Sequence, residues 1–262
     1  MSSTAAAYST TGSRWERGPG PIYDRLAEVL VGRSPVGVDG GSALDVGAGT
    51  GAATRALLAA GAARVVAVDA AAGMLAHDAA LRPPAVVGDA LALPFAAASF
   101  RVTVAAFSLN HLADPAAGLA EAARVTTSGG AVLASAYAAD DVHPVKAAVE
   151  DALAALGWKP EPWYEALRAT AAPKLATVDA CRTAAAAAGL DAEVAAVRVG
   201  FPDLGATELV AWRLGLAQHA PFVASLPGDA DRAAVAADAA ARLGDGWPPL
   251  ERSFMVVAAV IP

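Results

Sequence analysis

Three glycines on alternate positions, Gly47, Gly49 and Gly51, sit between two carboxylates, Asp45 and Asp69. Glycine is needed where φ is positive or where a ligand must approach the backbone without meeting a Cβ. The apolar stretch 43–46 before them reads as a strand buried on both faces, and 52–60 after them as a helix whose free N–H groups point back into the loop. A second apolar stretch, 64–68, ends in Asp69, well placed to accept hydrogen bonds from both hydroxyls of a ribose. The chemistry is that of a nucleoside-containing cofactor on a doubly wound sheet. Gly47-Ala-Gly49-Thr-Gly51-Ala52 also fits a loose dinucleotide pattern, which keeps a nicotinamide oxidoreductase open as an alternative. Asp45, two residues before the first glycine, is an odd charge for a buried strand unless it supports the turn or meets a cationic ligand.

Asp45-Val-Gly47-Ala-Gly49-Thr-Gly51 resembles the D/E-x-G-x-G-x-G signature of class I S-adenosylmethionine-dependent methyltransferases. The resemblance extends over 42–137. It implies a ribose role for Asp69 and adenine packing for Met74. Gly88-Asp89-Ala90-Leu91-Ala-Leu93-Pro94-Phe95 is similar to the family's adenine-binding element, which implies that the Asp89 side chain and the Ala90 N–H meet the adenine edge. Phe100, Leu109, His111, Asp114 and Pro115 match a further family pattern in register, whereas Arg101 stands where an acidic residue is usual. The same register implies that Ala106 approaches the cofactor's amino group, and that Tyr23, on a helix before the first strand, covers its methionine end. The implied cofactor is S-adenosyl-L-methionine.

The elements that must position these residues follow from periodicity and breakers. Strands are expected at 43–46, 64–68, 85–87, 100–107, 131–137, 191–199 and 251–260, and helices at 22–31, 52–60, 71–81, 116–125, 145–156, 178–188, 207–216, 219–226 and 229–243. The fold class is α/β: a Rossmann-like, seven-stranded, mostly parallel sheet with helices on both faces, the last strand antiparallel, plus helical lid insertions. The organisation is an N-terminal segment and cover helix (1–37), a cofactor-binding core (38–139), a helical lid insertion (140–173), and the end of the core sheet with a second helical insertion (174–262, the insertion at 202–247). The Ser/Thr/Ala/Gly-rich lead, to about residue 20, is expected to be mobile in part, with Trp15 a surface staple or a lid.

Both insertions should stand over the carboxyl ends of the strands, where ligands bind in open α/β sheets. Methyl transfer to oxygen or nitrogen can need a base, and histidine titrates in the right range. His143 opens the first insertion and is the leading candidate, with a plain loop role as the alternative; for His111 a positional role is favoured over proton transfer. Tyr137, Trp163, Tyr164, Trp212 and His219 are candidate substrate contacts, since aromatic walls suit a flat or greasy molecule. The bland alternative is that these rings form the insertions' own core.

The chain of 262 residues has a net charge of -7 and no Lys/Arg run, which disfavours nucleic acid as partner. A mean hydropathy of +0.44 reflects alanine rather than any apolar stretch long enough to span a bilayer. No signal peptide is visible, and the single Cys181 fits a reducing compartment, so a cytoplasmic setting is expected. The four histidines are scattered without zinc spacing, and no metal is expected. The reading is a methyltransferase acting on a small, apolar or aromatic metabolite in natural-product tailoring, as monomer or homodimer. A peptide or protein methyltransferase and a non-methylating member of the fold remain alternatives.

Overall fold

The computed structural model describes residues 3–262; Met1 and Ser2 of the lead segment lie outside the described residues. Its strands are β1 (Ser42–Val46), β2 (Arg64–Asp69), β3 (Ala85–Val87), β4 (Phe100–Ala106), β5 (Thr126–Tyr137), β6 (Ala192–Phe201) and β7 (Leu250–Val260). They form one sheet in the order β3-β2-β1-β4-β5-β7-β6. The inner pairs are parallel, and β7 runs antiparallel to both β5 and β6. The chain winds outward from β1 to β3, then crosses back to β4, so the strand order reverses between β1 and β4. That reversal opens a crevice at the carboxyl ends, the general ligand position of such sheets.

The helices are α1 (Ser3–Tyr8), α2 (Gly12–Arg17), α3 (Gly20–Val31), α4 (Ala52–Ala59), α5 (Ala72–Leu75), α6 (Pro115–Val125), α7 (Val145–Ala154), α8 (Pro162–Ala166), α9 (Val178–Ala187), α10 (Ala206–Leu214), α11 (Ala220–Ser225) and α12 (Asp229–Leu243). Successive residues of a strand face opposite sides. Accordingly Leu133 of β5 packs into one core with Leu26, Leu30 and Leu57. Its neighbour Val132 packs into the other with Leu119 and Cys181. Local chemistry sets the helix starts: Asp114 caps α6 through the Ala117 N–H, with Pro115 at the first position, and Thr177 caps α9 through the Ala180 N–H. On α12 the buried residues Val235, Ala239 and Leu243 recur every four positions, with Asp229 and Asp231 in the first turn and Arg242 in the last. Helices α7, α10 and α12 pack together as one lobe, α7 lying against both of the others.

Three expectations are corrected. The helix expected over 71–81 stops after a single turn. The Arg82 guanidinium donates to the carbonyls of Met74 and Leu75, which a further turn would have used, and Asp78 has a φ of 48°. The fifth strand begins at Thr126 rather than 131. Thr126 pairs with Phe100, and the register then jumps to Ala131 opposite Val102, so Gly129 and Gly130 fall in a bulge within the strand. The lead segment, expected to be mobile in part, is folded from Ser3 onward as α1 and α2, and Trp15 is buried.

The docking of that lead depends on one close approach. A Cβ at Gly73, in α5, would lie 1.8 Å from the Ser9 carbonyl oxygen. Gly73→Ala therefore should push the α1–α2 connection off the sheet domain. Limited proteolysis read by mass spectrometry should show new cleavage within residues 3–17 while the sheet stays protected; an unchanged pattern would contradict this packing.

Candidate functional site

The glycine loop is built by backbone geometry. Gly47, Gly49 and Gly51 have φ values of 70°, 54° and 100°, a region that side chains rarely adopt. A Cβ on Gly47 would fall 2.2 Å from Ser108 Cβ. The loop is thus clasped to the end of β4, and the Ser108 hydroxyl donates to the Val46 carbonyl at 2.7 Å. Gly51 caps α4 in the left-handed conformation. It does not line the cavity described below, so its place is in the turn and not on the ligand, a correction to its candidacy as a cofactor contact.

Asp69, at the end of β2, accepts from the Gly49 N–H at 2.8 Å and the Ala71 N–H at 2.7 Å, one on each carboxylate oxygen. Each oxygen keeps a second acceptor site for a ligand. Burial pushes this carboxyl up in pKa, and the two backbone donors and Arg82 push back. Asp45 is 1% exposed and accepts from the Thr54 hydroxyl at 2.7 Å, tying β1 to α4. Burial raises its pKa to about 6. Sequence reasoning missed Arg82, whose guanidinium donates to the Gly49 carbonyl at 3.1 Å as well as to α5. The only signal in the chain is an arginine next to Pro83-Pro84, just past the helix expected over 71–81.

A single cavity of about 1010 Å³ gathers Asp45, Gly47, Gly49, Asp69, Met74, Asp89, Ala90 and Ala106. Asp89 accepts from the Leu91 N–H at 2.9 Å, which turns its side chain beside the Ala90 backbone. The same cavity continues past Ala106 to Tyr23, Tyr137, His111, Trp163, Tyr164 and Trp212. Here the walls are rings: Trp15 to Tyr23 at 4.8 Å, Tyr23 to Phe107 at 5.5 Å, Phe107 to Tyr137 at 4.5 Å between centroids. Tyr8, on α1, joins them from above, 5.4 Å from the His111 ring. Tyr8 was not singled out by the sequence, since one aromatic in a bland lead carries no periodic signal.

The histidines separate. His111 lines the cavity; its Nε2 lies 3.5 Å from the Tyr8 hydroxyl, and its buried Nδ1 has no hydrogen-bond partner. Burial lowers its pKa to about 4, so at neutral pH it is uncharged. His143 is not brought to this cavity. Its Nδ1 accepts from the Val145 N–H at the start of α7, which leaves Nε2 as the donor to the Pro248 carbonyl at 2.9 Å, so the ring ties α7 to the segment before β7. The expectation that His143 is the base is corrected on that ground. His219 is 0% exposed, packs on Trp158, and bonds the Arg213 carbonyl through Nδ1 at 2.7 Å. It lies behind the wall rather than on it, a correction to its substrate role.

Residues 44–134 match a family model described as a methyltransferase domain. Over those residues the chain carries a methyltransferase domain. The resemblance carried by Asp45-Val-Gly47-Ala-Gly49-Thr-Gly51 is thereby borne out. The demethylmenaquinone methyltransferase of Mycolicibacterium vanbaalenii is 47% identical over 87 residues, 33% of this chain and 38% of that protein. The one from Mycobacterium sp. strain JLS is 38% identical over 126 residues, 48% of this chain and 53% of that protein. The chain spans about half the length, or less, of these curated relatives. Among solved structures, a chain from the complex of the Trm112 methyltransferase activator with a methyltransferase of Haloferax volcanii superposes with a TM-score of 0.60 at 18% identity, over 100% of this chain and 99% of that one. A methyltransferase from an antibiotic biosynthesis pathway of Anabaena variabilis gives 0.60 at 16%, over 88% and 96%. The [4+2]-cyclase SpnF gives 0.55 at 19%, over 91% and 80%. At these identities the likeness is one of fold. Among the described residues no helix is long and apolar enough to cross a membrane, and no group of three His, Cys, Asp or Glu side chains is placed to hold a metal ion.

A buried histidine before α11 sets a pH dependence. Burial lowers the His219 pKa from 6.5 to about 3. The unfolded chain takes up a proton there that the native state refuses, so stability is lost as pH falls from about 6.5 toward 3. In urea unfolding, His219→Asn should show a shallower loss of midpoint on acidification than wild type; equal slopes would contradict a neutral buried imidazole.

Proposed function

We propose that this methyltransferase domain binds S-adenosyl-L-methionine and transfers its methyl group to a small, largely apolar or aromatic metabolite. The observation that carries this reading is the continuity of the cavity. One end presents the Asp69 and Asp89 carboxylates beside the glycine loop; the other is a ring-walled chamber. Its volume of about 1010 Å³ lies at the top of the usual range of about 300–1,000 Å³ for one small ligand. That leaves room for an acceptor beside the cofactor.

The residues present fit the cofactor. Asp69 would hold the ribose hydroxyls, Asp89 and the Ala90 N–H the adenine edge, and Met74, buried against the loop, the adenine face. When bound, S-adenosylmethionine supplies an electrophilic sulfonium methyl, whose C–S electron pair stays with sulfur as the acceptor's lone pair takes the carbon. The chain's own part is alignment. Tyr8, Trp15 and Tyr23 roof the junction of the two ends and exclude water. His111, neutral because buried, accepts a hydrogen bond from the acceptor and so orients its nucleophilic atom.

The relatives' name gives demethylmenaquinone as their acceptor, and a fold neighbour comes from antibiotic biosynthesis; both accord with a small-molecule acceptor and a tailoring role. Enclosure under α1 and the insertion lobe favours a small molecule over a peptide. A non-methylating role has its own support in the [4+2]-cyclase among the fold neighbours.

Incubation with methyl-labelled S-adenosylmethionine and an extract of the cells that make the protein separates these readings. Label in a solvent-extractable compound is expected; label in protein or peptide contradicts a small acceptor, and binding without transfer favours the non-methylating reading. Asp69→Ala should weaken cofactor binding at least ten-fold in calorimetry, since hydrogen bonds to a charged group contribute about 1.5–3 kcal/mol each. Full affinity in that variant would overturn the ribose assignment.

A further inference from the structure

The ring-walled end of the cavity is not apolar throughout. Arg213 lines it at 8% exposed, and its Nε and Nη2 atoms are buried without a hydrogen-bond partner. Its nearest carboxylate, Glu150, pairs with it in charge at 3.6 Å from Nη2 but is too far for a hydrogen bond, so the guanidinium keeps N–H groups free. Lys146 of α7 and Arg168, after α8, line the same chamber. Glu150 bears on Lys146 together with the cations Arg168 and Arg213.

Arg252 differs. Both its Nε and Nη2 bond Asp141, at 3.0 and 2.5 Å, and its guanidinium lies 4.0 Å from the Tyr137 ring and 4.5 Å from the Trp212 ring. It is neutralised and sandwiched, and it braces Trp212, the residue before Arg213. A buried cation without a bonded counter-charge is costly, and a guanidinium with free N–H groups is shaped to take a carboxylate or phosphate side-on.

We infer that the methyl acceptor carries an anionic group, a carboxylate or phosphate, which Arg213 binds with Lys146 and Arg168 while the acceptor's ring or chain lies between the aromatic walls. This rests on the small-molecule reading above and narrows it to an anionic acceptor. The position argues against the cofactor's own carboxylate as the partner. Tyr137 on β5 and Arg252 on β7 lie one and two strands outward from β4, and Arg213 lies beyond them in the lobe.

The test is calorimetry on the full chain saturated with S-adenosylhomocysteine, titrated with benzoate, phenyl phosphate and the neutral benzamide. At least one anion should bind ten-fold or more tightly than benzamide; preference for benzoate assigns a carboxylate, preference for phenyl phosphate a phosphate. Arg213→Met should erase that preference, Arg213→Lys should keep part of it, and affinity for S-adenosylhomocysteine should stay within two-fold. Lys146→Met gives an independent variant with the same expected direction. Equal binding of all three probes, or a loss of S-adenosylhomocysteine affinity in Arg213→Met matching the loss of anion affinity, overturns the inference. Failure of S-adenosylhomocysteine to bind wild type would instead contradict the cofactor reading, and the anion preference is then read without it.

Discussion

One carboxylate joins the two strands on which the site depends. Asp69 at the end of β2 takes an N–H from the β1 loop, at Gly49, and another from its own following turn, at Ala71. The loop can reach it only because three glycines accept positive φ and because Gly47 leaves no Cβ between the loop and Ser108. Arg82 then ties the Gly49 carbonyl to α5, so the loop is fixed at both its donor and its acceptor. The crevice at the sheet's reversal is therefore preorganised, and a ligand need not order it on entry.

The rest of the molecule encloses that crevice by different means at its two ends. Near β1 and β2 the lining is backbone and carboxylate, suited to a nucleoside. Past Ala106 it is aromatic, and the lobe of α7, α10 and α12 adds cations that the protein itself leaves incompletely paired. Asp45 and His111 show the same burial acting in opposite senses: the carboxyl is pushed up toward protonation and the imidazole down toward neutrality. Burial keeps the His111 imidazole uncharged at neutral pH, while Arg213 stays in place as a guanidinium.

The sheet and the glycine loop were legible because strand periodicity, glycine spacing and Asp69 all depend on local chain geometry. So was α12, whose apolar spacing is regular. What was not legible depends on tertiary partners. The shortening of α5 follows from Arg82, a side chain from outside the helix. The burial of α1 and α2 follows from Tyr8 and Trp15 meeting Tyr23 and His111, and nothing in an Ala/Ser/Thr-rich lead announces that. His143 and His219 looked alike in sequence to His111, yet backbone carbonyls claim the first two and the cavity receives the third. The aromatic residues were read as an apolar chamber; the cations beside them are spaced far apart in the chain, so no run of charge betrayed them.

The most direct test of this account is a crystal structure with S-adenosylhomocysteine bound. The account predicts ribose hydroxyls on Asp69, adenine at Asp89 and Ala90, and an open chamber remaining between His111 and Arg213. S-adenosylhomocysteine found away from Asp69, or its carboxylate seated on Arg213 so that the chamber is filled, would contradict it.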